Sequence, residues 1–346
     1  MASTLKDIAK AAGVSVTTVS LVLRDNQNPM ISKKTREKVL EVARELKYRH
    51  NTHARALRMG KSRAIGLLMY DFESKIALSK LETIDAGIWE KGYRSLIRIA
   101  GGHSDMIEQL IHEYAGGAIE GLIIIQAATE LTAGSLEVLT SSDVPIVTLE
   151  PIEGLPLDCA TVDRKYGAYM GIKHLLNLGH RSIGMIHSHP TDLHLAPRLE
   201  GYRQALLEHG LPVSKSLLVE TRVGYSGGYN AAKELLSRGL GVTAIFCNND
   251  ETAIGAMKGV QELGLRIPDD IAIIGFDNID AGEYAPVPLT TIAQPIDKVA
   301  EKAVEMMFDR IENPSADQSP RIMRIKPQLI IRESCGGRRA AETLAS

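Results

Sequence analysis

Residues 4–24, Thr4-Leu-Lys-Asp-Ile-Ala-Lys-Ala-Ala-Gly-Val-Ser-Val-Thr-Thr-Val-Ser-Leu-Val-Leu-Arg24, decide how the head of this chain is read. Thr4 and Asp7 stand three apart, the spacing of a capping box. Leu5, Ile8 and Ala9 then share one helical face. Gly13 ends this first helix and Ser15 can cap a second. Val19, Val22 and Leu23 give the second helix an apolar back, so its first turn, Val16-Thr17-Thr18, faces outward. That is the layout of a helix-turn-helix, whose second helix enters a DNA major groove and reads bases from its N-terminal end. An ordinary helical hairpin is the alternative.

Charge separates the two readings. Residues 1–62 carry 13 Lys and Arg against 5 Asp and Glu. The rest of the chain carries 27 against 37, so a net charge of −2 hides a basic head on an acidic body. A basic head supplies phosphate contacts, and an acidic body is repelled by nucleic acid. A third helix follows, with Ser32 as its cap and Val39, Val42 and Leu46 as its buried stripe. The loop Asn26–Met30 before it can reach a phosphate backbone. Residues 49–62 form a polar, basic linker with no large apolar face, so an isolated helix there is marginal.

From residue 63 the pattern changes. Apolar runs at Ala64–Tyr70, Leu96–Ala100, Gly121–Ile125, Pro145–Leu149 and Cys159–Val162 form one series. Ser182–Ser188, Leu217–Thr221, Ala244–Asn248 and Ile271–Asp277 form another. Helix-period segments such as Lys165–Leu178 and Asp250–Leu263 lie between them. Such alternation predicts parallel, doubly wound α/β sheets in two lobes. The segment 289–331 has too few strands for a third lobe, and the tail Gly336–Ser346 carries no leucine heptads.

The chain has 346 residues, 44% of them apolar, enough for more than one core. No run of 18 apolar residues exists and no apolar segment of the secretory type opens the chain. Cys159, Cys247 and Cys335 fit neither a zinc spacing nor a disulfide framework. A reducing cytoplasm is the expected location, with no membrane partner.

Ligands of open parallel sheets bind beyond the carboxyl ends of the strands. Those ends are Tyr70, Asp71, Gln126 and Glu150 in the first series, and Ser188, His189, Arg222, Asn249, Asp250 and Asp277 in the second. They suit a polyhydroxylated or ionised small molecule. His187, His189 and His194, with Asp192 nearby, lack a ligand set of metal spacing, so no metal is expected. No nucleophile motif, P-loop or dinucleotide fingerprint is present, so neither a cofactor nor catalysis is expected.

Leu5-Lys-Asp-Ile-Ala-Lys-Ala-Ala-Gly-Val-Ser-x-x-Thr-Val-Ser20 resembles the N-terminal signature of LacI/GalR-family transcription regulators. Thr35-Arg-x-x-Val39, Leu46-x-Tyr48, Ala54-Arg-Ala-Leu57 and Ile65-Gly-Leu-Leu68 extend the likeness. So do Gly179-His-Arg-Ser-Ile-Gly184, Arg198-x-x-Gly201-Tyr202, Ile271–Asp277, Pro288-Leu-Thr-Thr291 and Leu329–Ser334, in order along nearly the whole chain. The resemblance implies a helix-turn-helix domain at 1–48, a hinge at 49–62 and a periplasmic-binding-protein-like effector domain at 63–346. Its first lobe would take about 63–162 and 294–325, its second about 163–293 and 326–340. The implied protein is a homodimeric repressor of double-stranded operator DNA under the control of a small polar effector. Thr4, Ser15, Val16, Thr17, Thr18, Ser20, Leu21 and Asn28 would meet DNA. In the hinge, Ala54, Leu57 and Arg58 would enter the minor groove, with Leu57 as the wedge; a passive tether is the alternative. Tyr70, Phe72, Glu150, His189, Arg198, Tyr225, Asn249 and Asp277 would line the effector cleft. Arg198 could instead brace its helix, and Asn249 could be a strand-end cap. The chain departs from the family after the first strand: Ile76 and Ala77 stand near positions where relatives place aromatics on the effector. A solute-binding protein without a DNA role is the competing function, and the basic head argues against it.

Overall fold

The computed structural model describes residues 4–24, 31–46, 48, 62–70, 74–101, 117–125, 145–152, 154–189, 194–315, 317 and 319–337, with isolated positions between 134 and 141. The chain divides into two compact units, Met1–Ser62 and Arg63–Ser346.

The first unit is helical: α1 Leu5–Ala12, α2 Val16–Arg24 and α3 Lys33–Glu45. Thr4 and Asp7 form the reciprocal capping box expected of their spacing, and Gly13 closes α1 in the left-handed region at φ 67°. Ser15 caps α2 by accepting from Thr18 N at 3.0 Å, and Ser32 caps α3 through Thr35 N at 3.2 Å. Ile8, Ala12, Val19, Val22 and Val39 fill the core, with Ala9 and Ala43 at its border. Ala43 takes a core place that the sequence reading gave to Val42 and Leu46, which are half-buried.

The second unit holds two six-stranded sheets. Strands β1 Ala64–Met69, β2 Arg94–Ile99, β3 Gly121–Ile124, β4 Ile146–Thr148, β5 Asp158–Val162 and β11 Ile322–Ile325 form the first, in the order β11-β5-β4-β3-β1-β2. Strands β6 Ile183–His187, β7 Leu218–Glu220, β8 Ala244–Cys247, β9 Ala272–Asp277, β10 Thr290–Ala293 and β12 Gln328–Ile330 form the second, in the order β12-β10-β9-β8-β6-β7. All pairs are parallel except β10 with β12. β1, β3 and β6 are buried along their whole length, as strands covered by helices on both faces must be. The chain passes to the second sheet after β5, back to the first after β10, and to the second again after β11.

The connecting helices are α4 Lys75–Glu90, α5 Arg164–Asn177, α6 Leu195–Glu208, α7 Tyr225–Ser237, α8 Asp250–Glu262, α9 Asp280–Glu283 and α10 Ile296–Glu312. Although α10 follows a strand of the second sheet, Val299, Ala303 and Met307 pack into the first lobe's core with Ile84 and Ile88 of α4. Among the described residues, no helix is long and apolar enough to cross a membrane.

Candidate functional site

In the head, Ser15, Val16 and Thr17 are exposed, Val16 at 40%, while Val19 and Val22 on the same helix are buried. Thr18, Ser20 and Leu21 are half-buried. Thr4 gives both its donors to Asp7, backbone N to Oδ2 at 2.8 Å and Oγ1 to Oδ2 at 2.7 Å, which leaves it none for a phosphate. The Ser15 hydroxyl is likewise engaged with Thr18. Asn28, Ala54, Leu57 and Arg58 lie outside the described residues, as does Phe72 of the cleft set.

The other candidates sit at the carboxyl ends of the two sheets. Glu150 follows β4 and is 8% exposed. Arg164, in the first turn of α5, grips it with both terminal nitrogens, and Nη1 lies 2.7 Å from Oε2. Thr161 Oγ1 donates to Oε2 at 3.1 Å, and Lys80 of α4 reaches Oε1 at 3.5 Å. His194, just before α6, lies 3.7 Å from the same carboxylate. Burial opposes the charge on Glu150, but Arg164, His194 and Lys80 outweigh it and hold the carboxyl down at about 2. Desolvation lowers the pKa of Lys80 in turn, against the pull of Glu150.

Arg198 and Asp277 face each other 3.8 Å apart. The Arg198 guanidinium lies over the Phe276 ring, 4.2 Å from its centre. Its helix is set by Gly201, where a Cβ would stand 2.2 Å from Lys165 O, and by the Tyr202 hydroxyl, which donates to Ile183 O at 2.8 Å. Glycine is required there because α5 and α6 lie back to back. Gln294, after β10, donates to Asp277 Oδ1 at 2.6 Å. Burial raises the Asp277 pKa, with Arg198, Gln294, Arg164 and Lys80 opposing it.

Asp277 and Asn278 both have positive φ, 122° and 61°. Such backbone costs about 1–3 kcal/mol per residue and persists only where surroundings over-determine it. Here Asp250, fully buried at the start of α8, accepts from Ile279 N at 2.9 Å and from Thr291 Oγ1 at 2.5 Å. Arg332 Nη2 holds Asn278 Oδ1 at 2.9 Å. Burial and the nearby Asp277 push the Asp250 carboxyl up to about 7.

The remaining candidates stand apart from this cluster or serve the fold. Asn249 caps α8, its Oδ1 accepting from Thr252 N at 2.9 Å. Tyr225 is 45% exposed at the start of α7. His189 is exposed and lies 3.7 Å from Glu220. Tyr70 is half-buried and packs against the core beneath β1. Among the described residues, no group of three metal-ligating side chains occurs. The sequence reading did not single out Lys80, Arg164 or Gln294. Lys80 alone carried a signal, as a lysine on the otherwise apolar face Ala77, Lys80, Ile84, Ile88.

Residues 4–51 match the profile of bacterial regulatory proteins of the lacI family, and residues 172–335 that of a periplasmic binding protein-like domain. The chain is 30% identical over 334 residues to the HTH-type transcriptional repressor PurR of Vibrio parahaemolyticus, covering 96% of this chain and 98% of that one. It is 34% identical over 338 residues to the HTH-type transcriptional regulator DegA of Bacillus subtilis, covering 96% and 98%. Its fold is similar to the lac repressor dimer bound to operator and the anti-inducer ONPF, with a TM-score of 0.85, 25% identity and coverage of 97% and 99%.

Proposed function

The chain belongs to the lacI family of bacterial regulatory proteins, DNA-binding regulators rather than enzymes, and from that premise we propose how its own residues divide the work. The protein acts in the cytoplasm as a homodimeric repressor, placing two α2 helices in successive major grooves of double-stranded operator DNA. A small polar effector bound beyond the carboxyl ends of the two sheets sets its operator affinity.

The observation that carries this reading is the turn Val16–Thr17, exposed on a helix whose Val19 and Val22 are fully buried. An apolar side chain left exposed in the first turn, on a head with 13 Lys and Arg against 5 Asp and Glu, suits a surface that meets DNA. Val16 and Leu21 would meet thymine methyl groups and Thr17 a base edge, with Ser15, Thr18, Ser20 and Asn28 around them. Thr4 would act through its cap rather than through its hydroxyl. Ala54, Leu57 and Arg58 would follow into the minor groove, with Leu57 as the wedge. In the cleft, Arg198 and Asp277 would form the polar pair for the effector, and Glu150, Asn249, Tyr225, His189, Tyr70 and Phe72 would add further contacts.

Selection of binding sites from random duplex DNA by the full-length protein tests the DNA half. A two-fold symmetric site is expected, and Thr17→Ala should cost about 1–3 kcal/mol and relax one position in each half-site. Unaltered selectivity in that variant removes Thr17 from the readout. For the cleft half, Arg198→Ala should abolish the effector-dependent change in operator affinity, a coupling of about 1–3 kcal/mol in such systems. An effector response of wild-type size in that variant contradicts the assignment.

A further inference from the structure

Glu150 is shared unequally. Arg164 takes both its oxygens, and Thr161 adds a third hydrogen bond. Lys80 is left with Glu150 Oε1 at 3.5 Å as its one polar partner among the described residues, although it is 4% exposed. An ammonium carries three donors. A desolvated ammonium held by one long contact is costly unless something else approaches it. Arg164 shows the same deficit at Nε, which is buried without an acceptor. Both cations lie within electrostatic reach of Asp277, as does Arg198. Among the described residues, then, three buried cations, Lys80, Arg164 and Arg198, face two cleft carboxylates, Glu150 and Asp277. Asp250 stands behind Asp277, with its own charge suppressed by burial.

Unengaged acceptors occur in the same region. Among the described residues, Gln294 Oε1 and Asn248 Oδ1 are buried without a donor, and both residues follow strands of the second sheet, β10 and β8. A ligand that completes the cleft therefore brings an acidic group to the Lys80–Arg164 side and hydroxyl donors to Gln294 and Asn248.

Resting on the effector reading above, we infer that the cleft is built for an anionic polyhydroxylated compound, a sugar acid or sugar phosphate, whose acidic group is seated on Lys80 and the Arg164 edge. A neutral sugar could offer the ammonium hydroxyl acceptors only, without the opposite charge that makes such a bond strong. Carboxylate and phosphate share the chemistry required, and the test separates them.

The full-length protein is screened by thermal denaturation and titration calorimetry against five- and six-carbon aldonates, hexuronates and sugar phosphates, each beside its neutral parent sugar. An acidic member, but not its neutral parent, is expected to raise the melting temperature. Lys80→Met should weaken that binding about ten- to a hundredfold, as expected for a lost charge-assisted hydrogen bond. The class of the acidic binder tells carboxylate from phosphate. The inference is overturned if a neutral parent binds as well as its acid, if no acidic member binds, or if Lys80→Met binds the acid like wild type. The wild-type arm stands on its own should the variant fail to fold. Operator binding by the same preparation is measured in parallel. A neutral ligand that shifts operator affinity sinks this inference alone, whereas a protein that selects no DNA site sinks the reading beneath it.

Discussion

Two buried carboxylates of the first lobe, Asp158 and Glu150, each accept hydrogen bonds from two cations, and the difference between them separates a structural staple from a binding site. Asp158 opens β5 and takes Arg310 Nε and Nη2, both at 2.8 Å. Arg321 adds its backbone N at 2.9 Å and Nη2 at 3.0 Å. Four donors meet its two oxygens, and Arg321 also pairs with Asp309. The network ties α10 and the approach to β11 onto β5. Glu150 also receives four donors, but the last comes from Lys80 at 3.5 Å; a buried guanidinium Nε lacks an acceptor in both networks, on Arg321 as on Arg164, so the Lys80 ammonium is what sets them apart. A carboxylate met at full hydrogen-bond distance by every donor rigidifies a lobe, whereas an ammonium left with one long contact is a place where a further acceptor belongs.

Breaking the Asp158 network should have the largest effect. Asp158→Ala leaves Arg310 buried without its carboxylate, a loss of about 3–5 kcal/mol for a broken buried pair. Urea unfolding of the variant measures it, and a loss under about 1 kcal/mol would place Asp158 with ordinary surface pairs.

A third carboxylate sharpens the comparison. Asp250 of the second lobe is held by a hydroxyl and a backbone amide, with Asp277 nearby. Its folded pKa of about 7 lies above the 3.8 of a free aspartate, so between those values the native state binds more protons than the unfolded chain. Stability from this group is therefore complete below pH 4 and is lost as pH rises through 7. Asp250→Asn should flatten that part of the stability–pH profile, read as melting temperature from pH 4 to 8. Glu150 has the opposite sign: its stabilisation holds above its unfolded value of 4.5 and is lost as pH falls through about 2. An unchanged neutral slope in Asp250→Asn would show that Asp250 does not titrate there.

Lys80→Met is expected to have the smallest effect on stability, within about 1 kcal/mol of wild type or slightly stabilising. It replaces a poorly met buried charge by an apolar chain of similar length while Arg164 still grips Glu150. Denaturant unfolding measures it, and a loss of about 3 kcal/mol or more would make Lys80 as structural as Arg310.

Much of this architecture was legible beforehand because its signals are local. Thr4 with Asp7, Gly13, Ser15 and Ser32 are caps whose partners lie within a few residues. The runs at Ala64–Met69 and Ile183–His187 are apolar throughout because both faces of those strands are covered. Arg198 and Asp277 were found from strand ends and motif. The strands β10, β11 and β12 were not read as strands, and β11 is mostly exposed at its sheet's edge, so it needs no apolar run.

What the sequence by itself determined is most of the elements, the basic outward-facing helix turn and the two parallel sheets. Each follows from backbone propensity and hydrophobic period over a dozen residues or fewer. Only the tertiary structure decided which charges meet. Lys80 lies 70 positions from Glu150, and Asp250 lies 41 from Thr291. Pairing across such separations depends on how helices and strands stack, and desolvation then decides whether a pair is closed or left wanting a ligand. No local pattern encodes that balance, because it belongs to the space between elements and not to any one of them.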